Sequence, residues 1–121
     1  MRPESSGRTM GADSFVAFYG LKIALDPGNE DELDACGEET DARCREARRV
    51  GLESFSGRMT DGEDYFLYIG HRLAWLGLEQ GQYAAHTLER LSAVASDVEA
   101  KLAAAHFSQP PELHLQFMGQ Y

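Results

Sequence analysis

From Ser14 to Leu25 the chain reads SFVAFYGLKIAL, and alternation places Phe15, Ala17, Tyr19, Leu21, Ile23 and Leu25 on one face of a strand. The other face, Val16, Phe18, Gly20, Lys22 and Ala24, is only half polar. Asp26-Pro27-Gly28 ends the strand, because Pro-Gly breaks both regular structures. Asn29 stands three residues before Glu32, the N-cap and N3 arrangement of a capping box. Glu30, Asp31 and Glu32 then occupy the first helical turn, where the helix dipole favours carboxylates. Thr40-Asp41 offers a second cap before ARCREARRV, whose arginines lie toward the C-terminal end with Gly51 at the C′ position. Gly37 falls between the two starts and weakens a continuous helix, so residues 30–50 form either one irregular helix or two short ones.

LESFSGRM, residues 52–59, is a weaker strand, and Thr60-Asp61-Gly62-Glu63 a hairpin turn with Asp-Gly at its centre. The run DYFLYIGHRLAWLG is the strongest strand pattern in the chain. It is expected as one strand through about Arg72, with Gly70 marking a bulge, the alternative being a second hairpin at Gly70-His71. From Gly81 to Phe107 apolar residues recur at Ala84, Leu88, Leu91, Ala95, Val98, Leu102 and Ala105, a helical stripe. A helix of about 26 residues would run roughly 39 Å, against about 20–27 Å for the strands, and would overhang its sheet or bend along it. The mean spacing of the stripe also suits pairing with another helix. Pro110 and Pro111 precede ELHLQFMG, a closing strand with Leu113, Leu115 and Phe117 alternating against His114, Gln116 and Met118.

The order strand, helix, strand, strand, helix, strand is that of an α+β, ferredoxin-like βαββαβ two-layer sandwich, an antiparallel sheet with two helices on one face. Such a fold serves many functions and assigns none. If Phe15, Tyr19 and Leu67 face the core, then Val16, Phe18, Phe66, Tyr68 and Met118 face away from the helices as a sizeable apolar patch. A second copy packed sheet to sheet, making a homodimer, would cover it. The alternative cover is the 73–80 stretch, with Trp75, folding across.

Length and composition fit one ordinary globular domain of 121 residues. No run approaches the eighteen or so apolar residues of a membrane span, and no membrane partner is expected. Residues 1–12 lack the apolar region of a secretory signal and read as a flexible polar tail before a single domain over 13–121. Two cysteines, Cys36 and Cys44, make no disulfide framework, so a cytoplasmic protein with free thiols is expected.

Charge changes this picture most. The net charge is −9, and eight carboxylates with no basic residue fall between Asp26 and Ala42, followed directly by Arg43, Arg45, Arg48 and Arg49. Such acidity repels phosphates and disfavours direct nucleic-acid binding. It suits a small binding module that engages a basic protein surface, as inhibitors and immunity-type proteins do, through Glu30, Asp31, Glu32, Asp34, Glu38 and Glu39. Helix starts account locally for Glu30, Asp31, Glu32 and Asp41, whereas Asp34, Glu38 and Glu39 lie beyond a first turn. A charged face kept for solubility is the plain alternative.

Catalytic and metal patterns are missing from the sequence, and no cofactor or metal is expected. GLESFSG lacks the GxSxG spacing, and GxGxxG phosphate loops do not occur. YFLYIG lacks the basic-Gly pair of an RNA-binding RNP1 strand. Counting from Asp26, the acidic block breaks the calcium-loop pattern. Cys36 and Cys44 would stand about 80° apart on one helix and lack the tight spacing of structural zinc sites. The second functional reading is a dimeric protein that binds a small metabolite, or a small enzyme, using Tyr68, His71, Arg72 and His114 near one end of the sheet.

Overall fold

A computed structural model of the chain describes residues 14–58, 65–77 and 80–118. The tail expected at 1–12 and the turn expected at 60–63 lie outside these residues. In chain order the elements are β1 (Ser14–Leu25), α1 (Glu30–Gly37), α2 (Ala42–Arg49), β2 (Glu53–Arg58), β3 (Tyr65–Gly77), α3 (Leu88–Ala104) and β4 (Glu112–Met118). The fold is α+β, with an open four-stranded sheet in the order β2-β3-β1-β4 and every neighbouring pair antiparallel.

The two N-caps read from the sequence act where they stand, but the capping box at Asn29 forms only by half, since the Asn29 N–H donates to the Asp26 carbonyl at 3.0 Å and the Glu32 carboxylate turns to Arg43. Asn29 Oδ1 accepts the Glu32 N–H at 3.0 Å and caps α1, and Asp41 Oδ1 accepts the Arg43 N–H at 2.8 Å and caps α2. Residues 30–50 are therefore two short helices with a sharp bend between them. Each described helix ends in the same hydrogen-bond pair. The C″ N–H reaches back to the C3 carbonyl (Thr40 to Ala35, Leu52 to Ala47, Phe107 to Leu102), and the C′ N–H reaches the C2 carbonyl. This Schellman closure needs a left-handed residue at C′. Gly51 meets that need at φ 87°, but Glu39 at 60° and His106 at 66° do so with side chains.

α3 is shorter than its apolar stripe predicts. Thr87 caps it, its Oγ1 accepting the Arg90 N–H at 3.0 Å, and the helix runs 17 residues, about 26 Å. Residues 80–87 are exposed, with a bridge from Gly81 to Leu76 and His86 Nε2 bonded to the Leu73 carbonyl at 2.8 Å. At about 26 Å the helix is shorter than the 12- and 13-residue central strands on which it packs, which run about 40 Å, so it needs neither the overhang nor the bend that a longer helix would require. β3 is one strand and runs to Gly77, past Arg72. Its irregularity lies not at Gly70 but where Ala17 pairs with Ala74 and Phe18 with Arg72, leaving Leu73 as the extra residue.

Two apolar clusters form on opposite faces of the sheet. Leu21, Leu25, Leu67 and Ile69 pack with Cys36, Cys44, Ala47, Val94, Val98 and Leu102 from the three helices. On the other face Val16, Phe18, Phe66 and Tyr68 form a second cluster, against which Phe55 and Trp75 pack. Tyr19 Oη donates to Glu99 Oε2 at 3.1 Å and pins α3 to β1. No helix among the described residues is long and apolar enough to cross a membrane.

Candidate functional site

The six carboxylates expected to meet a partner divide into two groups. Glu32 Oε2 accepts from Arg43 Nη2 at 3.0 Å, and Glu39 pairs with Arg48 at 3.7 Å while its carbonyl accepts from Arg48 Nη2 at 2.9 Å. Their charges are balanced within the chain. Glu30, Asp31, Asp34 and Glu38 are exposed and have no basic partner among the described residues. At about 100° per residue these four fall within one sector of roughly 100° on α1 and its C-cap. Leu33 and Cys36, on the other side of that helix, point into the core. The last turn of α1 holds no basic residue, so Asp34 and Glu38 sit against the negative end of the helix dipole.

Behind this stripe the α1–α2 bend brings the two cysteines together. Cys36 Sγ, Cys44 Sγ and an Asp41 carboxylate oxygen all lie within 4.8 Å of one another, with both cysteines buried. Arg43 closes the group. Its Nε and Nη2 donate to the two Asp41 oxygens at 2.9 and 3.1 Å, and Nη2 stands 3.9 Å from Cys36 Sγ. The guanidinium holds the Asp41 carboxyl below its ordinary value, while burial pushes the Cys36 thiol up to about 11 and raises Cys44 as well. The thiols are protonated at neutral pH and are not nucleophiles as they stand. Sequence spacing did not reveal this convergence, because eight residues on a single helix would keep the two thiols apart. The bend, signalled by Thr40-Asp41, is what joins them.

Of the four polar residues proposed for one end of the sheet, Tyr68 and His114 meet, their ring centroids 5.4 Å apart, but the four do not gather at one point. Register places Arg72 and His114 on either side of Phe18, on the face of Tyr68, but pairs His71 with Tyr19 on the helix side. Tyr68 Oη donates to Gln116 Oε1, His114 Nε2 bonds the Gly20 carbonyl at 3.1 Å, and Arg72 stacks 4.9 Å over Trp75. His71 Nδ1 faces Glu53 at 3.3 Å. Tyr68, His71 and His114 link different strands, while the Arg72 side chain packs on Trp75 of its own strand. A groove of about 220 Å³ lined by Leu25, Leu33, Ser56, Gly57 and Tyr65 lies elsewhere, smaller than the ~300–1,000 Å³ usual for small-molecule sites.

Val16, Phe18, Phe66 and Tyr68, expected to meet a second copy, occupy one face as the alternation predicts, but each is at most 1% exposed within the single chain. Met118 holds the register position opposite Ser14. The exposed apolar row is a different one. Phe15, expected in the core, is 36% exposed, and its neighbours across β4, Leu113, Leu115 and Phe117, are exposed by 53–63%. The capped start of α3 shortens the helical cover and leaves this row open. The alternation in ELHLQFM, which sets Leu113, Leu115 and Phe117 on one face, was the signal for it.

Neither a known family model, nor a curated protein, nor a solved structure matches this chain.

Proposed function

We propose that this chain is an acidic binding module that engages a basic surface of a protein partner through Glu30, Asp31, Asp34 and Glu38. The observation carrying this reading is the single sector of α1 that gathers four exposed carboxylates, two of them against the helix dipole, without a basic neighbour among the described residues. Fields of this kind steer association and fix orientation. Glu32 and Glu39, neutralised by Arg43 and Arg48, support the stripe and the bend behind it. An inhibitor or immunity-type role fits, with spaced carboxylates occupying a groove built for phosphates. A cytoplasmic setting is part of this reading, as is a ferredoxin-like fold, which the strand order and the one-sided helix cluster support.

Affinity capture with the wild-type chain and with E30Q/D31N/D34N/E38Q, followed by association kinetics across ionic strengths, tests the proposal. The expected partner binds wild type with an on-rate that falls as salt rises, and binds the neutralised variant far more slowly. A partner that holds both proteins equally well, at any salt, overturns it.

Self-association is a second reading, favoured by the open row Phe15, Leu113, Leu115 and Phe117 rather than by the buried set around Phe18. Light scattering at high concentration decides it, and a 13.4 kDa species would end it.

A further inference from the structure

We propose that Cys36, Asp41 and Cys44 form a binding site for a thiophilic divalent cation of the zinc class, which would join α1 to α2. Three donors from two helices turn toward one point, and all lie within 4.8 Å of one another. For an equilateral set at that spacing the common centre is about 2.8 Å from each donor, against bond lengths of about 2.3 Å to sulfur and 2.0–2.2 Å to oxygen. Side-chain rotations that bring each donor inward by about half an ångström to an ångström would complete these bonds. Two sulfurs and one carboxylate oxygen select a borderline-soft ion over magnesium or calcium, which take oxygen alone.

The surroundings match the charge of such a site. Two thiolates and a carboxylate around a divalent ion carry one net negative charge, and Arg43, already bonded to both Asp41 oxygens and shared with Glu32, offsets part of it. A carboxylate has lone pairs enough to serve a guanidinium and a metal together, and a fixed outer partner orients it. Glu32 anchors Arg43 from a further side at 3.0 Å. Cys36 and Cys44 are each 1% exposed, so water cannot compete at the sulfurs, while the partly exposed Asp41 gives the ion its route in. Three protein donors leave a fourth tetrahedral position for a water. The site is independent of the acidic stripe, which faces away from it on α1.

The test titrates the full, reduced chain with Co²⁺ and then with Zn²⁺. One Co²⁺ per chain is expected, with a sulfur-to-cobalt charge-transfer band in the near ultraviolet that an equivalent of Zn²⁺ abolishes. Asp41→Asn keeps the α2 cap, since Asn caps as well as Asp, and is expected to weaken binding by about 10-fold or more. Cys44→Ser is expected to lose the band, with its metal-free thermal unfolding recorded to establish that it folds. Reduced wild type that shows no band in excess Co²⁺ overturns the proposal. So does an Asp41→Asn variant that binds Co²⁺ as tightly as wild type.

Discussion

Gly20 and Gly70 face one another across β1 and β3, and neither has room for a side chain. A Cβ on Gly20 would lie 2.1 Å from the Ile69 carbonyl oxygen, and a Cβ on Gly70 would lie 2.2 Å from that of Tyr19. Both obstacles are backbone, so relief requires the two central strands to part. Gly20→Ala is expected to lower stability by about 3 kcal/mol or to prevent folding, as severe overpacking does. Gly37→Ala, where an added Cβ meets nothing within 4 Å, is expected to gain up to about 1 kcal/mol from helix propensity. Urea denaturation of the two variants checks the contrast.

The helix ends allow a finer comparison. His106 holds a left-handed conformation at the C′ position of α3, where glycine is the natural occupant. His106→Gly is expected to raise stability by roughly 0.5–1 kcal/mol, because it removes the cost of a Cβ in that region. Gly51→Ala introduces that cost after α2 and is expected to lower stability by about 1 kcal/mol. Opposite shifts in thermal midpoint would bear this out, and shifts of one sign would refute it.

Burial separates the two apolar rows of the sheet. Phe18 touches Phe55 and Tyr68 at ring centroid distances of 5.8 and 5.0 Å and is fully buried. Phe18→Ala is expected to cost about 3–5 kcal/mol. Leu115, 63% exposed, is expected to accept Thr within about 0.5 kcal/mol, since a β-branched residue suits a strand and little burial is lost. If Leu115→Thr costs as much as a core substitution, the β4 row is covered in solution.

These contrasts show what the sequence carries and what it conceals. Residues that act on their own backbone were legible: Asn29 and Asp41 as caps, Gly51 as a C′ glycine, and the period-two runs as strands. The facing of Val16, Phe18, Phe66 and Tyr68 away from the helices followed from the same period. The start of α3 was not legible, because Ala84 lies in phase with the true stripe although the cap Thr87 stands between it and the helix. Glu39 and His106 hide their helix ends because nothing local marks a non-glycine residue as left-handed. The acidic stripe was half legible, since only the fold reveals that Arg43 and Arg48 neutralise Glu32 and Glu39. Convergence of Cys36 with Cys44 depends on the angle at the bend, which no spacing rule contains.

Alkaline pH offers a test of how the sheet is tied to α3. Burial, aided by the hydrogen bond and charge of Glu99, raises the Tyr19 pKa above its ordinary 10.0, and burial raises that of Tyr68. The native state therefore holds both phenols neutral at a pH where the unfolded chain begins to ionise. Their stabilising contribution is fully present below pH 10.0 and is lost as pH rises through the native values. Denaturation midpoints should fall above pH 10.0, and more shallowly in Tyr19→Phe/Tyr68→Phe than in wild type. An identical decline in that variant would assign it to other groups.

The acidic stripe makes a prediction in which stability and binding move in opposite directions. Glu30 and Asp31 stand in the first turn of α1, where the dipole favours them, so E30Q/D31N is expected to lose about 0.3–1 kcal/mol per site at low salt. Asp34 and Glu38 stand at the other end, where the dipole opposes them and no basic side chain among the described residues answers them. D34N/E38Q is therefore expected to fold more stably by a few tenths of a kcal/mol, while associating more slowly with a basic partner. A surface kept only for solubility would show the stability gain without any loss in association. Paired measurement of denaturation midpoint and on-rate in D34N/E38Q thus separates a recognition surface from a merely solvated one. The discriminating outcome is the on-rate, because the dipole argument fixes the direction of the stability change in either case.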